Sequence, residues 1–310
     1  MNGYRESRRG RPRSTRRRWS ARARIRALRV GCALVVLLSG AIYLGSGIGT
    51  TISAGSAWPA NWQIAACDIG QGDAVVVHDA DRFALVDVGP DPALLTTCLN
   101  RLSITRIDLL VLTHYDLDHV GGLSAVLGRV SVVLLGPPED SRDAAMADRL
   151  AKSGAEVRHA RRGDSGELGA LAWNILWPPA DTALRGNDAS VTIEFTGSLR
   201  SLFLGDLGED SQRLVMAANV LNREDVVKVA HHGSADQSED FYQAIRATVG
   251  LVSVGANNRY GHPTDRLLAI LARSGTAAYR TDLLGMIVVA PSPDGMIVWS
   301  DAQARVEKKK

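Results

Sequence analysis

Cysteine is scarce in this sequence, with three residues among 310. Cys32, Cys67 and Cys98 are scattered, so they form neither a disulfide framework nor the CxxC pair of a structural metal site. Cys67 and Cys98 could pair if the chain is exported, but we expect two buried free thiols. The sequence also lacks repeats at a solenoid period and, after its N-terminal tail, any low-complexity segment, which excludes repeat architectures.

Acidic residues are nearly absent from the first 30 positions, which hold twelve arginines and one glutamate, a net charge of +11. Since the whole chain carries +3, the remaining 280 residues sum to −8. The basic character therefore belongs to a tail, and the body lacks the broad positive surface of a tight nucleic-acid binder. Its length and ordinary apolar fraction allow one large core or two modest ones.

An apolar stretch covers residues 27–52, in which Arg29 is the one charged residue. It is long enough to span a bilayer, and the arginine-rich residues 1–26 predict a cytoplasmic tail with the rest of the chain outside. We therefore expect a single-pass anchor in the cytoplasmic membrane, with the tail contacting anionic lipid. The alternative is a signal peptide cleaved near residues 54–57, which would release a secreted protein.

The most informative stretch is Thr113–His119, which follows the apolar run Asp108–Leu112 and precedes two glycines. A short apolar run bounded by polar residues predicts a buried strand, with this loop at its carboxyl end. Two imidazoles and two carboxylates suit zinc, manganese or iron, and suit two metal ions better than one. The alternative is a solvated acidic loop with an aspartate that caps a helix. The four candidate ligands are His114, Asp116, Asp118 and His119.

The apolar and helical patterns predict two blocks of strands mixed with helices, hence sheets packed on each other with helices outside. The predicted domain covers residues 58–300, and a polar tail follows at 301–310. Predicted strands cover residues 63–66, 74–78, 83–87, 108–113, 130–135, 156–159, 168–177, 191–195, 201–204, 226–230 and 250–254, with three short ones near 278–281, 285–289 and 296–299. Predicted helices cover residues 92–102, about 121–127, 144–152, 209–219, 238–247 and 265–273.

Further potential ligands recur where predicted strands end, and strand-end loops on a rigid scaffold are where sites are built. Each has a structural alternative when taken alone: Asp206 could cap a helix or form a turn, and His262 could be a loop residue. Asn187 is more typical of a turn than of a ligand, and His78 and His159 stand in strands without partners. The strand-end positions are Asp87, residues 114–119, Asp206, His231-His232 and His262.

Six motifs follow one another along the chain: Asp68–Asp73, Leu85–Gly89, Leu112–Gly122, Phe203–Asp206, Val229–Ser234 and Asn258–Pro263, with Thr281-Asp282 and Gly285 after them. In this order they resemble the metallo-β-lactamase superfamily, and within it the C-terminal domain of ComEC-type competence proteins. The resemblance covers roughly residues 62–290. It implies an α/β fold, an αββα sandwich with a dinuclear metal site between the sheets. The apolar stretch 27–52 predicts one N-terminal transmembrane helix before it.

By this resemblance His114 and Asp116 bind one divalent metal ion, Asp118 and His119 bind another, and Asp206 bridges the two. The superfamily usually has histidine in place of Asp116. The additional carboxylate makes manganese a rival to zinc as the native metal.

The remaining roles are also implied by the resemblance. The superfamily has a histidine near Asn187, and we expect His232 to fill that vacated ligand place while His262 binds the second metal. His231 would face the substrate phosphate or donate a proton, and Asp118 would orient a water molecule or take its proton. Expected support behind the ligands comes from Asp87, Asp73 and Asn187, and expected substrate contacts come from His231, Ser234 and Asn258.

This site predicts a metal-dependent hydrolase of phosphodiesters. In competence proteins the similar domain resembles a nuclease for the non-transported DNA strand, so single-stranded DNA is the expected substrate. With one predicted span, a role in DNA uptake would need a separate DNA-channel protein. One alternative is hydrolysis of another phosphoester, such as a phosphocholine headgroup, or of a lactone. Another is a metal-binding module without turnover.

Overall fold

The structure, a computed structural model, describes residues 58–303 and the backbone of residues 50–52. The predicted tail 1–26, nearly all of the predicted span 27–52 and the chain end 304–310 lie outside the described residues. Within the described part, no helix combines the length and apolarity needed to cross a membrane. Residues 50–52 form a strand, so a helix through residue 52 is wrong for these three positions.

The described residues form two β-sheets with helices on their outer faces. The strands are β1 (Thr50–Ile52), β2 (Ile64–Ala66), β3 (Val75–Asp79), β4 (Arg82–Val86), β5 (Ile107–Leu112), β6 (Val130–Leu135), β7 (Glu156–His159), β8 (Ser165–Leu168), β9 (Leu171–Trp177), β10 (Thr192–Thr196), β11 (Ser201–Phe203), β12 (Val226–Lys228), β13 (Val249–Val252), β14 (Ala277–Arg280), β15 (Ile287–Ser292) and β16 (Gly295–Ser300). The α-helices are α1 (Pro92–Arg101), α2 (Leu117–Val120), α3 (Ser141–Lys152), α4 (Glu209–Ala218), α5 (Glu239–Ile245), α6 (Asp265–Ser274) and α7 (Thr281–Leu284).

The first sheet has the strand order β1-β16-β15-β2-β3-β4-β5-β6-β7, and the second has β14-β13-β12-β11-β10-β9-β8. Strands β4 to β7 run parallel to one another, and so do β11 to β14. Because parallel neighbours end at the same edge, the loops that follow them collect there, where α/β proteins commonly build their sites.

The central strands are buried on both faces. In β3, Val75 and Val77 belong to the core between the sheets, whereas Val76 belongs to the core under the first helix layer. In β5, Val111 belongs to the core between the sheets and Leu110 to the core under the first helix layer. This alternation follows from the two-residue period of a strand and explains the near-continuous apolar runs. A third cluster lies between the second sheet and α4 to α6, which completes the expected αββα layers.

Three predicted elements differ from the observed ones. The predicted strand 168–177 is a hairpin of β8 and β9, because Gly169 takes a left-handed turn with φ of 63°. The helix expected near Gly121 already begins at Leu117, and residues 121–125 continue as a 3-10 turn. Helix α3 begins three residues before the predicted position, since the side chain of Asp140 caps its first turn.

Cys67 and Cys98 form a disulfide, so the expectation of two free thiols is wrong. The two residues are 31 positions apart in sequence, and local patterns carry no information about their distance. They meet because α1 packs on the outer face of the first sheet, which brings the two Cα atoms to 5.9 Å. Disulfides persist in oxidising compartments, as export of the domain would provide.

Reduction of this disulfide is expected to lower the free energy of unfolding by roughly 3 kcal/mol, because the open chain regains loop entropy in the unfolded state. Denaturant unfolding with and without reductant measures the difference. A Cys67→Ser/Cys98→Ser double variant should match the reduced protein. Equal stability of the oxidised and reduced forms would contradict a structural disulfide.

Candidate metal centre

The candidate ligands meet at the edge where β4, β5, β11 and β12 end. The loop Thr113–His119 leaves β5, Asp206 comes three residues after β11, and His231-His232 follow β12. The first of these loops belongs to one sheet and the other two to the second sheet. The site therefore lies between the two sheets, as the resemblance to the superfamily implies.

Close backbone packing holds the loop Thr113–His119 in place. The N–H of Asp73 donates to the carbonyl oxygen of Asp118 at 3.1 Å. A Cβ atom at Gly72 would lie 2.2 Å from that same oxygen, and one at Gly122 would lie 2.0 Å from the carbonyl oxygen of Val88. Neither glycine can carry a side chain without displacing the loop, so both glycines are required by close approach.

Asp87 lies beneath the loop, fully buried and with a left-handed φ of 61°. Its carboxylate accepts hydrogen bonds from the N–H and Oγ1 of Thr113 and from Nδ1 of His119, each at 2.8 Å. Because Nδ1 of His119 donates there, the lone pair of Nε2 faces the opposite side, where Asp206 Oδ1 lies 3.2 Å away. Asp87 thus orients His119, as carboxylates behind metal-binding histidines do.

His114 lies beside His119, with ring centroids 4.1 Å apart. Its Nδ1 is 3.1 Å from Thr113 Oγ1 and 3.4 Å from Ser190 Oγ. Its Nε2 therefore faces the site, 3.6 Å from Asp116 Oδ2. The neighbouring imidazole of His114 lowers the pKa of Asp116, whose side chain is 58% exposed and reaches the ring from the solvent side.

The chain turns back sharply after β12, where His231 and His232 have left-handed φ values of 49° and 51°. Such conformations cost roughly 1–3 kcal/mol each for residues other than glycine and cluster at functional sites. His232 is buried, with Nε2 3.2 Å from Asp118 Oδ2 and 3.5 Å from Asp206 Oδ2. His231 is partly exposed, and its Nε2 is 3.7 Å from Asp206 Oδ2.

Two histidines lie elsewhere than expected. The resemblance led us to expect His232 on the side of His114, but the left-handed turn carries its ring to Asp118. His262 was expected beside Asp118, yet its ring packs edge-on against His231 at a centroid distance of 5.6 Å. His262 therefore lies at the border of the site, outside the described clusters whose ligand atoms approach within 4.8 Å.

Asp73 supports His232 from behind. Its Oδ1 lies 3.3 Å from Nδ1 of His232, which donates to the carbonyl oxygen of Ser253 at 3.0 Å. Its Oδ2 lies 2.5 Å from Nζ of Lys228, and both of these side chains are buried. Burial alone would raise the pKa of Asp73, but the positive charges of Lys228 and His232 lower it well below its usual range. A lysine within the apolar run 226–230 does not by itself indicate this buried pair.

The unsatisfied atoms of the cluster test whether it suits a metal ion. Among the described residues, buried atoms without a hydrogen-bond partner include Nε2 of His114, His119 and His232 and Oδ1 of Asp73 and Asp206. Buried polar atoms are rarely left unpaired in proteins. Imidazole nitrogen and carboxylate oxygen are also the ligands that zinc and manganese accept. The donor set therefore fits divalent cations.

Two groups of ligand atoms, each with its atoms within 4.8 Å of one another, have His119 in common. One contains His114, His119 and Asp206, and the other contains Asp118, His119 and His232. Burial opposes ionisation of Asp206, but the charges of His119 and His232 lower its pKa well below its usual value. Burial also opposes protonation of His119, yet Asp206 and Asp87 raise its pKa well above the usual value. Protons and cations therefore compete for the same atoms, so cation binding would release protons.

Two residues expected at the substrate are engaged within loops. The side-chain amide of Asn258 donates to the carbonyl oxygens of Gly255 and His262 at 3.1 and 3.0 Å, and its Oδ1 accepts from the N–H of His262 at 3.1 Å. Ser234 is buried, and its Oγ accepts from Nε2 of Gln237 at 3.1 Å. Both residues shape the loops beside the site, and this geometry does not support a substrate contact for either.

Asn187 lies in a 3-10 turn over residues 186–189, where its carbonyl oxygen accepts from the N–H of Ser190 at 3.1 Å. Ser190 was not predicted as a site residue. Its Oγ contacts His114 and accepts from the N–H of Asp206 at 3.2 Å, so it joins residues from both sheets. The one signal for Ser190 in the sequence is its place directly before a predicted strand.

The family model of the metallo-beta-lactamase superfamily matches residues 67–247. This match covers more than half of the chain. The chain belongs to this superfamily. Its fold is that of metal-dependent hydrolases. ComE operon protein 3 of Bacillus subtilis is 31% identical over 247 residues, which cover 71% of this chain and 32% of that protein. Competence protein ComA of Neisseria gonorrhoeae is 30% identical over 230 residues, which cover 71% of this chain and 31% of that protein.

The chain thus spans about a third of the length of these curated relatives. Among solved structures, CmlA, a diiron β-hydroxylase from Streptomyces venezuelae, aligns with a TM-score of 0.51 at 16% identity. The alignment covers 75% of this chain and 55% of that one. At this identity the likeness supports the superfamily fold alone. The predicted resemblance to the superfamily and to competence proteins is confirmed.

We expect the buried pair of Lys228 and Asp73 to stabilise the edge of the two sheets that carries the metal centre. Lys228→Met should lower the free energy of unfolding by about 3–5 kcal/mol, because Asp73 would stay buried beside His232 without its cation. Denaturant unfolding measures the loss. Lys228→Met/Asp73→Asn should recover part of it, since no unpaired carboxylate is left. A double variant less stable than the single would contradict the pairing.

Proposed function

We propose that this protein is a dinuclear-metal phosphodiesterase that cleaves single-stranded DNA outside the cytoplasmic membrane, in a role similar to that of competence proteins. One observation carries the proposal: two groups of ligand atoms share His119, and most of these atoms are buried and unsatisfied, with Asp206 of the first group 3.5 Å from His232 of the second. Paired cation positions of this kind suit phosphoryl transfer, because both the attacking and the leaving oxygen need charge stabilisation.

Two divalent ions, zinc or manganese, would be held by residues of both sheets. His114, Asp116 and Asp206 would hold one ion, and Asp118, His119 and His232 the other, with Asp206 shared. When bound, such ions lower the pKa of water and stabilise the charge on phosphoryl oxygens. This assignment moves His232 to the position beside Asp118 that its 3.2 Å distance favours.

The exposed side of the site supplies groups for proton transfer. Asp118 is half-buried beside His232, and burial is outweighed by the histidine charge, so its pKa is lowered and it is an anion at neutral pH. It could orient the attacking water or take its proton. His231 is partly exposed, and its ring lies between Asp206 and His262. We assign it to contact with the substrate phosphate or to protonation of the leaving oxygen.

Nucleic acid is favoured over a phosphocholine headgroup or a lactone by an exposed aromatic ring at the border of the site. Tyr260 is 72% exposed and stacks on His262 at a centroid distance of 5.8 Å, and His262 in turn contacts His231. An exposed ring of this kind offers a face on which a nucleobase can stack. The similarity to competence proteins points in the same direction.

The disulfide between Cys67 and Cys98 supports a location outside the cytoplasm. We propose that the apolar stretch 27–52 anchors the domain in the membrane, with cleavage and secretion as the alternative. In DNA uptake the pore would come from a separate channel protein. A metal-binding module without turnover is the competing class. The exposed Asp116 and the partly exposed Asp118 and His231 argue against it, because they leave the site open to substrate.

Metal addition to the metal-free full-length protein in detergent should produce hydrolysis of bis-p-nitrophenyl phosphate and of a single-stranded DNA oligonucleotide. His119→Ala should reduce both rates at least about 100-fold, because it removes a ligand of one ion and the ring that faces the shared Asp206 at 3.2 Å. Metal content measured by mass spectrometry should fall below two ions per chain in this variant.

His78→Gln is the matched control, because His78 lies on β3 near the opposite edge and should leave both rates unchanged. Cleavage of the small ester alone would favour another phosphoester substrate. Two bound metal ions without any turnover would leave a metal-binding module.

Tyr260→Ala should raise KM for single-stranded DNA by about tenfold, which is the loss of one base-stacking contact. Its kcat and its activity on bis-p-nitrophenyl phosphate should stay unchanged, because the small ester has no base to stack. Tyr260→Phe keeps the ring and should behave as the wild type. An equal loss on both substrates would assign Tyr260 to support of His262 instead.

A further inference from the structure

A cleft of about 270 Å³ lies beyond the metal centre. Its walls include two proline pairs, at residues 137–138 and 178–179, and the cationic side chains of Arg161 and Arg185. His159 lines it as well. We name this feature the arginine cleft. The proline pairs restrict backbone motion on two walls, so the cleft is formed before any ligand enters.

The arginine cleft adjoins the His114 side of the metal centre. Tyr115 directly follows His114, and its hydroxyl donates at 3.0 Å to the carbonyl oxygen of Gly136, the residue before the first proline pair. Arg185 begins the segment that ends at Ser190, which contacts His114. A molecule that extends from the metal centre past Tyr115 would therefore reach the cleft.

The arginines of the cleft are not neutralised by an ion pair. Several exposed arginines elsewhere on this acidic domain are matched by carboxylates, such as Arg273 with Glu239 at 2.6 Å. Within residues 58–303 neither the guanidinium of Arg161 nor that of Arg185 forms a salt bridge with a carboxylate; Asp164 accepts from the backbone N–H of Arg161 at 3.0 Å.

Backbone carbonyl groups position the side chain of Arg185. Its Nη1 donates to the carbonyl oxygens of Thr182 and Leu184 at 2.9 and 2.7 Å, which leaves its Nη2 edge available to a ligand. Asp181 also lines the cleft, but the arginines outnumber it. The cleft is therefore a positive position on a negative domain.

We propose that the arginine cleft binds a backbone phosphate of a single-stranded nucleic acid, several atoms away from the phosphate that is cleaved. Arginine pairs well with phosphate oxygens, and such contacts set the register of a strand without reading its sequence. The inference rests on the proposed phosphodiesterase function and deepens it, because it names a polymeric substrate. A small phosphoester occupies the metal centre alone and gains nothing from the cleft.

The proposal also explains how an acidic domain could hold DNA. With a net charge of −8 outside the first 30 residues, the domain as a whole repels a polyanion. At 0.1 M ionic strength, salt screens the repulsion from carboxylates that lie farther than about 10 Å from the DNA. The attraction of nearby arginines without a carboxylate partner can therefore exceed the repulsion from the rest of the domain. Binding should therefore be modest and strongly dependent on salt.

The test is the binding of a fluorescein-labelled 20-nucleotide single-stranded DNA to the metal-free full-length protein in detergent, followed by fluorescence anisotropy. Arg161→Ala/Arg185→Ala should weaken binding about tenfold and reduce the slope of log Kd against log salt by about one for each arginine. Its activity on bis-p-nitrophenyl phosphate should equal that of the wild type. Arg161→Lys/Arg185→Lys keeps both charges and should preserve most of the salt slope.

Arg106→Ala is the matched control, because Arg106 precedes β5 at the opposite edge and donates to the neutral Ser131. Its Kd and salt slope should not change. An unchanged Kd in the double alanine variant, or no binding of DNA by the wild type, overturns the inference. Binding of inorganic polyphosphate in place of DNA overturns the nucleic-acid part.

Failure of the proposed function would look different from failure of this inference. If metal-loaded wild type cleaves no DNA while the double alanine variant still loses DNA binding, the arginine cleft is supported and the nuclease is not. If the wild type cleaves DNA and the variant binds and cleaves it equally well, the nuclease is supported and the cleft is not.

Discussion

The contact between His119 and Asp206 is the constraint on which the rest of the site depends. Their facing atoms lie 3.2 Å apart, are buried and form no hydrogen bond within the described residues. A lone pair facing a carboxylate at that distance requires a proton or a cation between them. Asp87 prevents the ring of His119 from turning away, because it accepts from the other nitrogen.

The fold supports this unfavourable cluster by confining it to an edge. Apolar layers on both sides of each sheet supply the stability, and the polar atoms of the cluster gather where parallel strands end. The disulfide between Cys67 and Cys98 ties α1 to the end of β2, and the buried pair of Asp73 and Lys228 joins the first sheet to the second. The left-handed backbone at His231 and His232 is tolerated because this surrounding structure holds it.

Local charge, and not the charge of the whole domain, governs how a polyanion could approach. The centre itself is lined by carboxylates, and metal binding would reverse the sign of that surface. On one side of the centre, Tyr260 offers an aromatic face on which a base can stack. On the other side, the arginine cleft offers positive charge to a phosphate. The proposed substrate is thus selected by groups beside the metal centre, while the centre supplies the chemistry common to its superfamily.

The sequence by itself determined the two blocks of strands and helices and the loop of His114, Asp116, Asp118 and His119, because strand periodicity and ligand spacing are local patterns. It also identified Asp206 as a strand-end carboxylate. The superfamily followed from the resemblance that the order of the motifs carries. Only the tertiary structure decided the disulfide and the place of His232, since both depend on which distant segments pack together and on one left-handed turn. The contributions of Lys228 and Ser190 were equally hidden, because a lysine or a serine near a strand is ordinary until its neighbours from other strands are known.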